Sequence, residues 1–369
     1  MFERTPDCSP PNPFVRTEVI DDQGTKEPFE VEGQRLKKPT SRNTFKLLGP
    51  LLVLGLLAPA AYGAESLLYL EAQGVGGYSG QSQKVIGYSM DANDPMQKPS
   101  VGLDYIQRLT SDNGDWGMAA LQARLAYDET DQVQPQLYNA YLRVKLPEMD
   151  LWVGHDRPAF GLASFLDTHG TLLQTLDMEG LGFDRDWGAG LYTTFADGDT
   201  AFSLTTGSGM PLIVVGNYLA DARFSLGVLE RDNFSAGLSL SKGSVLDIMG
   251  YQRMSGALIR QELIGLDASF NWLNYEFKAE AVGGDKYGLF TSGLLFRAGV
   301  NLLEENKLKL EVQPVFLANQ GQTNDLKLYT GVTWVVTDDL TFRVMDVYDT
   351  QGNFNNIVGQ IYLYRRLFL

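Results

Sequence analysis

The side chains that could perform chemistry in this sequence are mainly carboxylates, ammonium groups and guanidinium groups, because thiols and imidazoles are scarce. The 369 residues include one cysteine, Cys8, and two histidines, His155 and His169. A lone cysteine excludes a disulfide framework and thiolate metal clusters. Two histidines are too few for a histidine-rich metal site. The sequence therefore predicts no metal and no cofactor.

A hydrolytic enzyme would have to build its site around the two histidines. Their partners would be Ser164 with Asp167 or Asp156, but the motifs G-x-S-x-G, H-E-x-x-H and C-x-x-C-H are absent from the sequence. Closely spaced residues of one segment seldom assemble into a catalytic triad by accident. We therefore expect that this chain is not an enzyme.

Acidic side chains cluster around residues 157–185, and basic side chains precede them in alternating segments. The acids are Asp156, Asp167, Asp177, Glu179, Asp184 and Asp186, and the bases are Arg108, Arg124, Arg143 and Lys145. Acids and bases that face each other across an aqueous passage set up a transverse field, which favours dipolar solutes over apolar ones. The alternative for each single residue is that it points into wide, solvated space.

The overall charge restricts the partners of the chain. Lys and Arg together number 30 and Asp and Glu 45, which gives a net charge of −15. Such an acidic balance argues against a general nucleic-acid binder. It would favour cations in an aqueous channel, whereas the basic residues of the wall could reverse that preference locally. Mean hydropathy is −0.14, too polar for a polytopic helical membrane protein.

One long apolar run occurs near the N-terminus, at residues 47–61, and reads LLGPLLVLGLLAPAA. Basic residues precede it and Ala61-Tyr62-Gly63 follows it, a pattern typical of a secretory signal peptide. An uncleaved membrane anchor is the alternative, but Gly and Pro within the run make a poor spanning helix. Residues 1–46 are rich in Pro and charge, so we expect a disordered extension. Since signal peptides do not normally begin in this way, we hypothesise a true start near Val31 or Leu36.

Residues 64–369 alternate between apolar and polar side chains with a period of two, which predicts β-strands. Lys307-Leu308-Lys309-Leu310-Glu311-Val312 is one example. Sixteen such segments occur, most of about ten residues, the length that a tilted strand needs to cross a bilayer. Their spans are 66–76, 100–110, 116–128, 136–147, 150–156, 186–196, 199–208, 218–229, 233–244, 258–272, 274–284, 288–302, 306–318, 325–337, 339–349 and 356–368.

The connections also alternate, with short Asn-, Asp- and Gly-rich turns after the even segments and longer loops after the odd ones. This is typical of outer-membrane barrels, although a soluble β-sandwich or a periplasmic β-solenoid would also alternate. We predict an all-β fold, a 16-stranded antiparallel transmembrane β-barrel with an apolar outer face and a polar, hydrated lumen. Its interface girdles would contain Trp116, Tyr127, Trp272, Tyr275, Trp334, Phe342 and Phe368.

The connection at 157–185 is the third long loop, and it is too apolar for a solvated tip. It contains Phe160, Leu162, Phe165, Leu166, Leu172, Leu173, Leu176 and Leu181. These side chains need burial. Folding inward, into the lumen, would bury them and narrow the channel.

The exported part resembles Gram-negative outer-membrane porins of the 16-stranded general type. Residues 152–161, WVGHDRPAFG, are similar to the strand and "PFG" sequence that lead into the third loop. Asp184-Arg185-Asp186-Trp187-Gly188 is similar to the return sequence of the phosphate-selective-porin-like branch. The resemblance implies an outer-membrane location and passive diffusion of small hydrophilic solutes and ions. It also implies a third loop that forms the constriction, with loop acids facing wall bases, and a homotrimer surrounded by outer-membrane lipid.

The sequence departs from the porin pattern at its C-terminus, and two other functions remain as alternatives. Porins commonly end in an aromatic residue, but this chain ends in Phe368-Leu369, which leaves the register of the last strand undecided. The alternative functions are the barrel sleeve of a porin–cytochrome electron conduit and an outer-membrane barrel enzyme.

Overall fold

The computed structural model describes residues 66–89, 97–112, 114–127, 132–249, 252–321 and 323–367. The predicted extension at 1–46, the signal peptide region at 47–63 and Phe368 lie outside the described residues. Within the described ranges, no helix is long and apolar enough to cross a membrane.

The described residues form sixteen long strands and one short strand, β2, in the first long loop. Their bounds are β1 Ser66–Ser79, β2 Lys84–Ile86, β3 Ser100–Ser111, β4 Gly114–Tyr127, β5 Val133–Lys145, β6 Asp150–Asp156, β7 Asp186–Phe195, β8 Gly198–Thr205, β9 Tyr218–Leu226, β10 Phe234–Met249, β11 Gln252–Trp272, β12 Tyr275–Lys286, β13 Leu289–Leu302, β14 Leu308–Asn319, β15 Asp325–Thr337, β16 Leu340–Asp349 and β17 Phe354–Leu367. Short 3₁₀ turns occupy Leu162–Ser164, Leu176–Glu179 and Glu304–Asn306, and α1 is Leu229–Asp232.

The sheet closes on itself. Each long strand pairs antiparallel with its neighbours in the chain, and β1 pairs both with β3 and with β17. Glu71 in β1, for example, lies opposite Gly102 in β3 and opposite Tyr364 in β17. A closed cylinder bonds every strand on both edges, which is what hydrocarbon requires of a sheet. The predicted 16-stranded antiparallel barrel is therefore confirmed.

Alternate side chains face opposite sides of the wall, as the period-two pattern predicts. In β11, Ile264 and Leu266 are exposed on the outer face, whereas Leu263, Asp267 and Ser269 are buried on the inner face. Of the proposed girdle residues, five large aromatic side chains are exposed at or near strand ends: Trp116, Tyr127, Trp272, Tyr275 and Trp334. Phe342 is half-buried.

The loop pattern is less regular than the sequence suggested. We predicted a loop over 245–257, but β10 and β11 continue to Met249 and Gln252 as one long hairpin. Strands β12 and β13 are joined by only Tyr287 and Gly288, whose φ angles of 62° and 75° suit a tight hairpin turn. Both departures lie on the rim where longer loops were expected. At the other end of the chain, β17 stays in register with β1 as far as Leu367, opposite Leu68.

The hydrophobic core lies inside the cylinder. Buried apolar side chains of the wall pack against residues of the 157–185 loop: Val75, Leu263, Val282, Leu295, Val315, Met345, Val347 and Val358 pack with Phe160, Leu162, Leu172, Leu173, Leu176 and Leu181. Ile86 of β2 joins the same cluster. The inner face, which was expected to be polar, thus also carries an apolar patch. Polar and apolar patches share the inner face because a folded loop, and not only water, covers it.

The two faces of one strand should respond differently to the same substitution. Val332 is exposed on the outer face of β15, and its neighbour Thr333 lies on the inner face next to a cavity. We expect Val332→Arg to lower the free energy of unfolding in lipid vesicles by about 2–4 kcal/mol, because arginine would enter the acyl region. Thr333→Arg, the matched control, should cost about 1 kcal/mol or less. Equal losses in a urea titration would contradict the assignment of the two faces.

Candidate functional site

The loop at 157–185, called L3 here, crosses the interior of the barrel. Its backbone N–H of Gly161 donates to Ser239 Oγ in β10 at 3.0 Å, and that of Leu162 donates to Glu280 in β12 at 2.9 Å. Further along L3, Arg343 of β16 donates to the carbonyl of Gly170 at 2.9 Å. These partners lie on the inner faces of strands far apart around the cylinder. L3 is thus held across the lumen and not above its rim.

Glu280 anchors the far side of L3 with both carboxylate oxygens. Oε1 accepts the N–H of Leu162, and Oε2 accepts the N–H of Leu176 at 3.3 Å. These are the first residues of the two 3₁₀ turns in the loop. Because N–H groups at a helix start have no partner within the helix, one buried carboxylate satisfies two donors that would otherwise lack partners.

Glu71 in β1 fixes L3 at the opposite wall. The His169 imidazole contacts it, with Nε2 2.7 Å from Oε1, and both side chains are almost fully buried. Gln122 also donates to this carboxylate at 3.3 Å, and Arg124 lies 3.9 Å away. The His169 ring meets the Tyr138 ring edge-on, with centroids 3.9 Å apart. L3 is therefore bound at its middle as well as at its two turns.

Apolar contacts between these anchors require small residues on the wall. A Cβ atom at Gly293 in β13 would collide with Leu181 and would crowd Leu176 of L3. Glycine at this position lets the leucines reach the inner surface of β13. The apolar side chains of L3, from which inward folding was predicted, are buried in this packing.

Three of the predicted acids join three arginines in one network. Arg143 lies 3.2 Å from Asp156, and Asp167 contacts Arg157 at 2.9 Å and Arg185 at 3.4 Å. The third acid, Asp184, accepts from Arg185 at 2.6 Å. Two of the arginines, Arg157 and Arg185, come from L3 itself. Both lie in the porin-like motifs of the sequence, but they were not predicted to be pore charges.

The network shifts the pKa values of its residues in L3, Asp167 and Arg185. Burial raises the pKa of Asp167, but the guanidinium groups of Arg157 and Arg185 outweigh it and hold this pKa below its ordinary value. Burial lowers the pKa of Arg185, whereas the carboxylates of Asp184, Asp167 and Asp156 raise it above its ordinary value. Asp167 is therefore ionised at neutral pH, and 54% of its side chain is exposed to the lumen.

The other predicted acids lie apart from this network. Glu179 accepts from Lys327 at 2.8 Å and from the Tyr329 hydroxyl at 2.9 Å. Asp177 accepts from Thr175, and its pKa is raised by burial and by the nearby Asp184 carboxylate.

Asp186 is fully buried at the start of β7. It accepts from the backbone N–H groups of Gly207 and Ser208 at 2.5 and 3.1 Å. It therefore organises the loop after β8 instead of facing the open lumen.

The predicted bases also separate into groups. Arg124 is buried and donates to Gln136 at 2.8 Å, whereas the Arg143 side chain is 36% exposed in the lumen. Arg108 and Lys145 are exposed near the strand ends that lead into short turns. Of the four predicted bases, Arg143 is the one that both pairs with an acid of the ion network and is exposed in the lumen.

Two cavities border L3 on opposite sides and share Asp167. A cavity of about 640 Å³ lies between L3 and the wall that contains Arg143 and Asp156. A cavity of about 230 Å³ lies between L3 and the wall formed by β12 to β16. The second wall carries Lys278, Arg297, Lys309 and Arg343. Sequence reasoning missed these four bases because they lie far from L3 in the chain, although their alternation parity would have placed them inward.

The residues considered for hydrolysis are not assembled into a triad. Ser164 Oγ donates to the carbonyl of Gly161 at 2.7 Å, and His169 is engaged by Glu71. His155 is fully buried beside Trp187, with ring centroids 4.8 Å apart. No group of three or more His, Cys, Asp or Glu side chains in the described ranges is arranged to hold a metal ion.

Comparison with solved structures identifies the class of fold as the 16-stranded porin barrel of Gram-negative outer membranes. The structure is similar to an anion-selective porin from Comamonas acidovorans, with a TM-score of 0.58 and 10% identity over 83% of this chain and 100% of that one. It is also similar to Salmonella typhi OmpF in complex with daunomycin, with a TM-score of 0.57 and 11% identity over 82% and 98%.

A third similar structure is the outer-membrane channel DcaP of Acinetobacter baumannii, with a TM-score of 0.51 and 12% identity over 82% and 97%. No protein-family model matches the sequence, and no curated protein matches it. At these identities the likeness establishes the architecture of the chain, and its function has to be argued from its own residues.

The anchoring role of Glu280 can be tested by removing its carboxylate. Glu280→Ala would leave the N–H groups of Leu162 and Leu176 without their acceptor, so we expect a loss of about 2–4 kcal/mol in the free energy of unfolding. Cleavage within L3 by an added protease should also become faster. Ser239→Ala, which removes a single neutral acceptor, is the matched control and should cost about 1 kcal/mol. If both variants behaved alike in both assays, Glu280 would not be the main anchor.

Proposed function

We propose that the protein is an outer-membrane porin, a water-filled channel for passive diffusion of small hydrophilic solutes and ions. The observation that carries this proposal is that L3 crosses the lumen and leaves cavities lined by charged side chains on each side of it. Cavities lined by ions and amides are hydrated, because burying such groups without water would be costly. Export by the signal peptide predicted at 47–63 and residence in the outer membrane belong to the same proposal.

The ion network gives the channel a means of selecting solutes. Asp167 on L3 and Arg143 on the wall both line the larger cavity, so opposite charges border the same passage. Fixed charges of opposite sign in a narrow, water-filled space orient dipolar solutes and repel apolar ones. This supports a preference for polar solutes. The other acids and bases that the sequence predicted as pore charges lie at several places around L3. They contribute to the field in the lumen from those places and do not form one row of acids opposite one row of bases.

We also propose that the channel assembles as a homotrimer in outer-membrane lipid, as its resemblance to general porins implies. One similar solved structure, a Vibrio cholerae outer-membrane protein, is described as a trimer form. Mass measurement of the purified protein in detergent tests this proposal. A monomeric mass under conditions that preserve conductance would refute it.

The two alternative functions are less well supported. A cytochrome sleeve needs an open lumen, whereas L3 occupies this one and packs against the inner wall. A barrel enzyme needs a nucleophile bonded to its base, whereas Ser164 and His169 have other partners and His155 is fully buried beside Trp187. We therefore propose that the chain has no catalytic activity of its own.

Channel formation and the role of Arg143 can be tested together in planar lipid bilayers. The purified protein should produce discrete conductance steps, and their absence in reconstituted, folded protein would contradict the proposed function. Arg143→Ala should raise the cation-to-anion permeability ratio about two- to threefold. A unit charge about 7 Å from a passing ion in water contributes about 0.6 kcal/mol, with opposite signs for a cation and an anion, and salt of about 0.1 M roughly halves each contribution.

The control for this experiment is Arg108→Ala, which removes the same charge near the short-turn rim. We expect it to change the reversal potential much less, because exposed charges at a wide mouth are screened by salt. An unchanged reversal potential for Arg143→Ala in a KCl gradient would place Arg143 away from the path of the ions.

A further inference from the structure

The smaller cavity, on the wall of β12 to β16, has an unusual composition. Four bases line it, Lys278, Arg297, Lys309 and Arg343, and the only acids among its lining residues are Glu311 and Asp167. The hydroxyl-bearing Thr171 and Thr333 also border it. The larger cavity on the other side of L3 has the opposite balance, with Arg143 and Arg157 against Asp104, Asp156 and Asp167.

The two lysines of the smaller cavity are held in place by glutamates. Glu276 Oε2 lies 3.1 Å from Lys278 Nζ and 2.9 Å from Lys309 Nζ, and Glu311 Oε1 lies 3.1 Å from Lys309 Nζ. The second oxygen of Glu276 accepts from Asn301 at 2.6 Å. Two ammonium groups and two carboxylates therefore balance one another, and the excess positive charge of the cavity comes from the arginines.

Among the residues that the structure describes, the two arginines have no carboxylate partner. Arg297 donates to Gln313 Oε1 at 2.5 Å and to the carbonyl of Gln174 at 2.9 Å. Arg343 donates to the Gly170 carbonyl and, at 3.0 Å, to Gln360 Oε1. Within the described residues, neither guanidinium group lies within 4.0 Å of a carboxylate oxygen. All of their acceptors are neutral, so two full positive charges border the cavity without a counter-charge in contact.

From this arrangement we propose that the smaller cavity is a binding subsite for a small oxyanion, a phosphate or a carboxylate, on its way through the channel. Burying a guanidinium group without a counter-charge is costly, and an oxyanion would supply that charge. Guanidinium groups match the geometry of carboxylate and phosphate oxygens, and the bonds they form with them are charge-assisted. A volume of about 230 Å³ accommodates such an ion with some water.

The position of the subsite explains how it would act in transport. It lies beneath the middle of L3, against residues 166–173, while the larger cavity lies on the opposite side of the same segment. Anions would therefore be attracted to the wall of β12 to β16, and cations to the wall that contains Asp156 and Asp104. The loop separates the two cavities, and Asp167 borders both. This inference rests on the proposed channel function and adds to it a preferred solute class.

The subsite can be tested by titrating the reconstituted full chain with inorganic phosphate while chloride current is recorded at constant ionic strength. Binding should make the chloride current fall along a saturable curve. Acetate and sulfate, titrated in the same way, show whether carboxylates or tetrahedral oxyanions bind better. A current that changes only in proportion to the added phosphate would overturn the subsite while leaving channel function intact. Absence of conductance would instead refute the channel itself.

Variants then locate the binding. Arg343→Gln should raise the half-saturating phosphate concentration about tenfold, the loss expected for one charge-assisted hydrogen bond. Arg343→Lys, which keeps the charge, should raise it less. The double variant Lys278→Gln/Lys309→Gln removes two charges without touching L3, since neither lysine donates a hydrogen bond to the loop among the described residues. It should also weaken binding, and it keeps the test valid if Arg343→Gln does not fold.

Arg143→Gln is the matched control on the other wall. We expect it to alter ion selectivity but to leave the half-saturating phosphate concentration unchanged. If it weakened phosphate binding as much as Arg343→Gln, binding would reflect the general field of the lumen and the proposed subsite would be refuted. Circular dichroism and heat-dependent gel migration of each variant establish that the barrel is folded before its conductance is compared.

Discussion

The position of L3 depends on two buried carboxylates on opposite walls of the barrel, Glu280 and Glu71. A closed sheet satisfies its own backbone in lipid, but sixteen strands enclose more space than side chains can fill. A loop that enters this space brings its own N–H groups, which then need acceptors. Glu280 accepts two of them, and Glu71 engages His169 near the middle of the loop. The division of the lumen into two cavities follows from these attachments.

The sequence predicted the barrel well because one local property, alternation, determines both strand and face. Each of the sixteen predicted segments overlaps a long strand, and the apolar character of L3 correctly indicated that it needs burial. The exceptions have local causes. Between β10 and β11 the alternation weakens, so the hairpin was predicted too short. Inner-wall residues such as Val282 and Val315 are apolar because their partner is L3, a loop that is distant in the sequence.

The site was predicted less completely, since its contacts join residues that are distant in the chain. Leu162 and Glu280 are separated by 118 positions and His169 and Glu71 by 98. No local pattern connects such pairs, so neither anchor was identified. The same limit explains Asp186, which reads as one more loop acid but satisfies backbone donors of the next loop. Charge and proximity in sequence indicate the region of a constriction, but they do not show which charges face water and which hold the loop.

The anchoring of L3 also bears on how the channel can discriminate between solutes. Arginines that donate to loop carbonyls, Arg297 and Arg343, position the loop and charge the passage at the same time. A guanidinium group has five donors, so neutral carbonyl acceptors on one edge leave other donors for a solute. Fixing the group in this way lowers the entropy lost when an anion binds. A flexible lysine on a wide wall would offer the same charge with less selectivity. The attachment of the loop and the proposed recognition of a solute therefore depend on the same side chains, and a substitution that loosens the loop should weaken the binding of the solute.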